Sequence, residues 1–194
     1  MTNLKEQRKI EIIKSAMQVF GEHGYYRGKV EEIAINAGIG KGTVYEYFQS
    51  KKEIFQEMLQ YMFDSYIEAA IKSTSNQTTV RDKLIALLDF HWNFISTHAD
   101  VIEQSFFRFE NISESIRPHI FKVHRRIFKF ILNIVVEGIE KGEINPEVDK
   151  EMASIVLLST ISGSNIKRIV SDEDFIDSGT IIDMIFEGIG VTKN

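Results

Sequence analysis

The stretch AGIGKGTVYEYFQSKKEIF, residues 37–55, brings together residue types that bind polyanions. Three glycines at 38, 40 and 42 precede hydroxyl or aromatic side chains at alternate positions 43, 45 and 47, and then Lys51 and Lys52. Glycines this dense interrupt a helix and let a ligand approach the backbone closely. Hydroxyls and lysines just after such a break can donate hydrogen bonds to phosphate oxygens. The stretch therefore indicates a contact surface for a negatively charged partner.

The elements around this stretch predict a helix-turn-helix. An amphipathic helix is expected at 5–23, with Gly24 as a left-handed C-cap. Two short helices follow at about 29–37 and 41–48, and Gly38 lies in the turn between them. Two short helices joined by a tight glycine-containing turn, the second of them exposed, are typical of this motif.

The second short helix separates its inward residues from its outward ones. Val44 and Phe48 are four residues apart and are expected to face the core, so the polar face carries Lys41, Thr43, Glu46 and Tyr47. Ser50 and Glu53 then form a capping-box pattern, which predicts that a long helix starts at 51 and runs to about 72.

The rest of the chain predicts more helices. STSNQTT, residues 73–79, is the best linker candidate, and further helices are expected at about 80–98, 100–110, 114–141, 147–170 and 174–189. The whole chain has two prolines, which favours helices because helix interiors exclude proline. We therefore expect an all-α fold of about nine helices, with an N-terminal helix-turn-helix domain at 1–52 and a larger ligand-binding and dimerisation domain at 53–194.

Composition excludes several classes of site and partner. The chain has no cysteine, so disulfides and thiolate metal sites are excluded, and its apolar runs are too short to span a membrane. The N-terminal residues lack a signal-peptide pattern, so a cytoplasmic protein is expected. Residues 1–52 hold nine Lys or Arg and six Glu, whereas the net charge of the whole chain is −5. A basic head on an acidic body favours contact between the head and a polyanion.

Residues 10–59 resemble the DNA-binding head of the tetracycline-repressor (TetR) family. The resemblance is carried by Phe20, Gly24 and Tyr25 at the end of the first helix, and by IAINAGIGKGTVYEYF and SKKEIF. It implies a homodimeric transcriptional repressor that binds double-stranded DNA at a palindromic operator. It also implies that the C-terminal domain binds a small molecule and thereby releases the DNA.

The resemblance also assigns DNA contacts to individual positions. Lys41 and Gly42 match positions that read base edges, and Tyr45 matches a base-methyl or backbone contact. Lysine can donate to guanine O6 and N7, which agrees with such a role. The remaining matches are to phosphate-contacting positions: Thr43, Tyr47, Lys51 and Lys29.

Two features depart from the family pattern. Many members have Ser or Thr as N-cap of both short helices, whereas this sequence is expected to use Gly28 and Gly40. Glu46 lies beside the predicted contacts and would repel phosphate, so it is expected to point sideways or to accept a hydrogen bond from cytosine.

The helix at 114–141 is apolar over most of its circumference and is expected to be buried centrally, where the family's effector cavity lies. His91 and His124 fall among apolar neighbours, and Phe106 and Phe128 supply aromatic walls. These four residues are the predicted binding site for a hydrophobic effector. Core histidines with hydrogen-bonded side chains are the alternative, and a metal site is a third possibility that no spacing of ligands supports.

The last two helices carry apolar faces with small residues such as Ser159, Ser162, Gly163 and Gly179. Family members dimerise through these helices, although closure of a monomeric core is an alternative. Two reading helices about 34–36 Å apart would cover two half-sites of DNA. Three other functions stay open: an activator, an all-α enzyme, and a helical adaptor. No catalytic motif, cofactor loop or metal-binding HExxH is present, so neither a catalytic residue nor a cofactor is predicted.

Overall fold

The computed structural model describes residues 4–98, 113–163 and 177–187, and all regular structure in these ranges is helical. This confirms the predicted all-α class. Eight helices lie in the described ranges: α1 Leu4–Arg27, α2 Val30–Asn36, α3 Lys41–Tyr47, α4 Lys51–Thr74, α5 Val80–Thr97, α6 Ser113–Glu140, α7 Lys150–Gly163 and α8 Ser178–Glu187. The helix expected at 100–110 and the distal part of the one expected at 147–170 lie outside the described residues.

The described residues form two compact units. The first is drawn from Met1–Ser65 and Ile95–Phe121, and the second from Tyr66–Phe94 and Lys122–Asn194. The expected domain boundary after Lys52 stays a prediction. No helix in the described ranges has the length and apolar character needed to cross a membrane.

The core of the first unit joins α1, α2, α3 and the start of α4. Phe20 of α1 packs its ring edge-on against Phe55 of α4, with 5.5 Å between the ring centroids. Both side chains are fully buried, as are Ile33 of α2 and Val44 of α3. Because α3 has only two turns, its position depends on this packing rather than on its own helix propensity.

Gly24 interrupts α1 close to its end. Its backbone angles, φ 71° and ψ 163°, lie in a region that is essentially restricted to glycine. The expected left-handed cap is therefore replaced by an extended conformation with positive φ. A further helical turn follows, and the N–H of Gly28 donates to the carbonyl of Gly24 at 2.9 Å.

The predicted N-cap of α2 is wrong by one residue. Lys29, not Gly28, is the N-cap, and its N–H donates to the carboxylate of Glu32 at 3.1 Å. Position 28 requires glycine for a reason other than capping. An added Cβ would come within 2.9 Å of Phe20 Cδ1 and 3.1 Å of the Gly24 carbonyl oxygen. Gly28 thus allows α2 to start directly against α1.

The start of α4 is capped nearly as predicted. The N–H of Glu53 donates to Ser50 Oγ at 3.1 Å, which is one half of a capping box. The carboxylate of Glu53 accepts from the N–H of Gln49 rather than from Ser50. The second hydrogen bond of the capping box, to the Glu53 side chain, therefore comes from the N–H one residue before the N-cap.

The core of the second unit is a single apolar cluster built from α4, α5, α6, α7 and α8. Leu84 and Leu88 of α5 and Ile131 of α6 are fully buried in it. Arg81 of α5 donates to both carboxylate oxygens of Asp183 on α8, at 2.6 and 2.7 Å. These contacts fix α5 between the surrounding helices.

The expectation that α6 is buried centrally holds only for its C-terminal part. Among the side chains of α6 that the structure describes, the buried ones start at Ile131, whereas Phe121 is 65% exposed. Charged side chains at 122, 125, 126 and 129 flank the apolar ones in the preceding turns. The apolar arc there is too narrow for the helix to be enclosed on all sides.

Candidate DNA-binding surface and ligand-binding unit

The turn between α2 and α3 is a Schellman motif. Gly38 has φ 66°, its N–H donates to the Ile35 carbonyl, and the N–H of Ile39 donates to the Ala34 carbonyl, both at 3.0 Å. These bonds satisfy the carbonyls that the end of α2 would leave unpaired. A left-handed conformation at this position favours glycine, so the first glycine of the sequence motif is explained by the turn.

Helix α3 presents the rest of the motif to solvent. Val44 of α3 and Phe48, the residue directly after the helix, are buried, as predicted. Lys41, Gly42 and Tyr45 are exposed. An added Cβ at Gly42 would meet no atom within 4 Å in the described residues. Packing of the chain therefore does not require glycine at 42, which leaves the backbone open to an external partner.

Five of the seven predicted DNA-contacting residues lie together on α3: Lys41, Gly42, Thr43, Tyr45 and Tyr47. Spacing of four places Lys41 beside Tyr45 and Thr43 beside Tyr47. Thr43 and Tyr47 are half-buried. Lys29 is exposed at the start of α2, and Lys51 is the first residue of α4.

Lys51 is held by contacts within the first unit. Its ammonium donates to the carbonyl of Tyr26 at 3.1 Å and lies 4.8 Å from the centroid of the Tyr25 ring. Partial burial lowers the pKa of Lys51. Lys51 therefore joins the start of α4 to the end of α1, a role that the sequence did not indicate.

Lys41 is also paired within the protein. Its ammonium donates to the carboxylate of Glu31 on α2, and this hydrogen bond is the main reason that the pKa of Glu31 is lowered and that of Lys41 raised. Sequence reasoning missed this ion pair because the two residues lie ten positions apart, on opposite sides of the turn.

His91 is the one predicted effector residue that is buried in the described structure, with 9% of its surface exposed. Its Nδ1 is hydrogen-bonded to the hydroxyl of Tyr66 at 2.8 Å, and its Nε2 is buried with no partner among the described residues. Burial lowers the pKa of His91 to about 4 and raises that of Tyr66. Both side chains are therefore neutral near pH 7, beside the rings of Phe90 and Phe94.

The other predicted effector residues have different surroundings. His124 is exposed and Phe128 is half-buried on α6, whereas Phe106 lies outside the described residues. The described structure therefore does not enclose His124 with His91, and their joint role in a ligand site stays a prediction.

Comparison with known proteins identifies the family. Residues 12–58 match the family model of bacterial regulatory proteins, tetR family, and residues 77–165 match the model of the tetracyclin repressor-like C-terminal domain. An uncharacterized HTH-type transcriptional regulator of Bacillus subtilis, YhgD, is 30% identical over 155 residues, which cover 78% of each chain. The chain belongs to the TetR family. It is therefore a transcriptional regulator with a helix-turn-helix DNA-binding region, as the sequence predicted.

Some relatives of this TetR-family chain are regulators of fatty acid metabolism. The fatty acid metabolism regulator protein of Bacillus subtilis is 24% identical over 190 residues, covering 95% of this chain and 97% of that protein. The structure of FadR from Bacillus halodurans has a TM-score of 0.70 at 22% identity and covers 96% of this chain and 95% of that one. The structure of FadR from Bacillus subtilis in complex with stearoyl-CoA has a TM-score of 0.69 at 24% identity. The match covers 92% of this chain and 95% of that one.

The second unit of this TetR-family regulator contains a cavity that sequence reasoning missed. Its volume is about 480 Å³, and its lining is mostly apolar side chains from α5, α6, α7, α8 and the segment 143–149. Of the predicted effector residues that the structure describes, His91, His124 and Phe128, none lines it. The cavity could not be predicted from local sequence patterns, because its lining residues Leu84, Ile144 and Leu157 come from distant parts of the chain.

Helices α7 and α8 also carry large apolar side chains that are exposed. Met152 on α7 is 58% exposed and Met184 on α8 is 53% exposed, and Ile155, Val156 and Phe186 accompany them. Single exposed apolar residues are common, and three of these five, Met152, Val156 and Phe186, also line the cavity. These are the two helices for which the sequence predicted a dimer interface.

Proposed function

We propose that this TetR-family regulator is a homodimeric cytoplasmic repressor that reads a palindromic operator and is released from it by a hydrophobic effector. The observation that carries the proposal is the outward face of α3. Val44 anchors the helix in the core, while Lys41, Gly42 and Tyr45 are exposed around it. A helix anchored on one side and exposed on the other has the form needed to enter a major groove.

The DNA contacts divide between base edges and phosphates. We assign Lys41 and Gly42 to base edges, since lysine can donate to guanine and a glycine without side-chain neighbours permits close approach of the backbone. We assign Tyr45 to a base methyl group or the DNA backbone, and the phosphate contacts to Lys29, Thr43, Tyr47 and Lys51. Phosphate contacts of this kind fix the orientation of a protein on the duplex but carry little sequence information.

Dimerisation is supported by the exposed apolar side chains of α7 and α8. Met152, Val156 and Met184 would leave water if these helices packed against a second copy. A single helix of two turns reads too few bases for specificity, whereas two such helices can read half-sites one helical turn apart. A symmetric dimer therefore implies a palindromic operator.

For the effector, we propose a molecule with a long acyl chain, such as a long-chain acyl-CoA. Two observations support this: the bound stearoyl-CoA in FadR of Bacillus subtilis, and the apolar cavity of about 480 Å³ in the second unit here. His91 does not line this cavity, so we propose His91, His124, Phe106 and Phe128 as a separate set of effector contacts. A coupling of about 1–3 kcal/mol between the two sites would suffice for regulation.

Selection of binders from a random double-stranded DNA pool at about physiological salt tests the DNA-binding part, because non-specific binding is weak there. We expect an enriched palindrome with two half-sites. Lys41→Ala should lose binding to the recovered sequence, whereas Lys72→Ala, which removes the same charge from an exposed position of α4, should retain it. Folded dimeric protein that enriches no sequence would refute the proposal.

The effector part is tested separately with the recovered operator. Stearoyl-CoA is expected to lower the operator affinity about 5- to 150-fold, in line with typical coupling energies. An equal concentration of free coenzyme A serves as the control, since it lacks the acyl chain. If no acyl-CoA changes the operator affinity, the proposed effector is wrong, while the DNA-binding proposal still stands. In vitro transcription from a promoter with the operator then distinguishes a repressor from an activator.

A further inference from the structure

The base-reading lysine of the proposed interface is paired with a carboxylate on the neighbouring helix. Lys41 is the first residue of α3, and Glu31 is the second residue of α2. The ammonium of Lys41 donates to Glu31 Oε1 across the turn, and the two side chains are 48% and 54% exposed. The pair therefore lies on the surface that the proposed function places against DNA.

The carboxylates and lysines near the start of α2 have distinct roles. Glu32 caps the helix by accepting from the N–H of Lys29, so its carboxylate has a structural partner. The carboxylate of Glu31 accepts from the Lys41 ammonium and from the backbone N–H of Glu31 itself, and the bond from Lys41 is the larger cause of its lowered pKa. Lys29 forms no salt bridge among the described residues, but its charge adds to the hydrogen bond from Lys41 in lowering the pKa of Glu31. Lys41 is the lysine whose ammonium is hydrogen-bonded to Glu31, and this bond must break before Lys41 can contact a phosphate.

The ion pair affects specific and non-specific DNA complexes differently. Non-specific binding depends on the number of lysines that neutralise phosphates, and a nearby carboxylate opposes it. A base contact instead depends on direction, because the ammonium must point at acceptor atoms in the groove. A carboxylate that holds the ammonium in one place therefore lowers the affinity for non-specific DNA and supports the base contact in the specific complex.

We propose that Glu31 is a specificity-determining residue, which positions the Lys41 ammonium at the start of the reading helix and opposes its transfer to the phosphate backbone. The inference rests on the proposed DNA-binding function and assigns Glu31 a role that acts through Lys41. Glu31 need not touch DNA, so it is a positioning residue. Its effect is expected in the ratio of the affinities for operator and non-operator DNA.

The test is Glu31→Gln, which keeps the shape of the side chain and removes its charge. Fluorescence anisotropy would measure binding to the selected operator and to a scrambled duplex of the same length over a range of salt concentrations. Exposed ion pairs are weak, so we expect binding to the scrambled duplex to strengthen about two- to fivefold, with less than a twofold change for the operator. The salt slope for the scrambled duplex should steepen by up to about 0.9, the value for one additional phosphate contact.

Two further variants show whether Glu31 acts through Lys41. Glu68→Gln removes the same charge from an exposed position of α4 and should leave the ratio of affinities unchanged. In a Lys41→Gln background, Glu31→Gln should no longer alter that ratio, because interaction energies vanish when one partner is absent. Circular dichroism of every variant establishes that the helices are retained.

The outcomes separate this inference from the function on which it rests. Equal strengthening of both duplexes by Glu31→Gln would mean a general charge effect and would overturn the inference. No change in either duplex would overturn it as well, while loss of operator binding in Lys41→Ala would still support the proposed function. If Lys41→Ala also leaves operator binding unchanged, the proposed role of α3 is wrong.

Discussion

Acidification is expected to destabilise the second unit through His91. The burial of this imidazole lowers its pKa from about 6.5 in the unfolded chain to about 4 in the folded protein. Between these two values the unfolded state binds more protons than the folded state, so stability falls as the pH falls. Well above pH 6.5 the imidazole is neutral in both states and the contribution is constant.

The magnitude follows from the two pKa values. One pKa unit corresponds to about 1.4 kcal/mol, so His91 alone should remove about 2 kcal/mol of unfolding free energy between about pH 7 and pH 5. For a chain of 194 residues this corresponds to a fall in Tm of about 4–8 °C. The hydrogen-bonded neighbour, Tyr66, does not titrate in this range, because burial raises the pKa of its phenol.

The assay is urea denaturation at the two pH values, for the wild type and for the double variant Tyr66→Phe/His91→Leu. The double variant removes both hydrogen-bonding partners and leaves neither side chain unpaired. Groups other than His91 and Tyr66 are the same in both proteins, so their contributions cancel in the comparison. We expect the double variant to lose about 2 kcal/mol less than the wild type. Equal losses would show that His91 is not neutral and desolvated in the folded protein, and would refute the reasoning.

Four substitutions test other parts of the structure. Gly24→Ala forces a side chain into a positive-φ conformation and should cost about 1–3 kcal/mol in chemical denaturation. Gly42→Ala lies in a helix with open space around it, so it should stabilise the fold by about 0.5–1 kcal/mol while weakening operator binding in anisotropy. Ser50→Ala removes the acceptor for the Glu53 N–H and should cost about 1 kcal/mol by thermal unfolding. Val156→Glu places a charge on the exposed apolar face of α7, and we expect sedimentation to show a shift from dimer to monomer.

The features predicted correctly from the sequence are those set by local spacing. Val44 and Phe48 were identified as buried because a spacing of four residues places both on the same side, and both are buried although Phe48 is the C-cap of α3. Gly38 was placed in the turn because only a few residues adopt its conformation readily. The N-cap of α2 was misplaced by one residue because Gly28 satisfies a packing constraint against α1 that resembles a cap in sequence.

The features that were missed depend on residues distant in the sequence. The partner of His91 is Tyr66, 25 positions away on another helix, and no periodicity within α5 indicates it. The burial of α6 was overestimated because the width of an apolar arc does not show how far along a helix its neighbours extend. Burial at Ile131 but not at Phe121 is a property of the packed unit.

The three lysines predicted to contact DNA differ in how available their charges are. Lys29 has no ion pair among the described residues, Lys41 is paired with Glu31, and Lys51 donates to a backbone carbonyl beside the Tyr25 ring. A count of basic residues therefore overstates the attraction of this surface for DNA. Each phosphate contact contributes about 0.9 to the salt slope, so non-operator binding should have a slope smaller than the number of lysines implies. Discrimination must then come from directed contacts of α3, where the anchored helix and the bare backbone at Gly42 hold the base-reading groups in place.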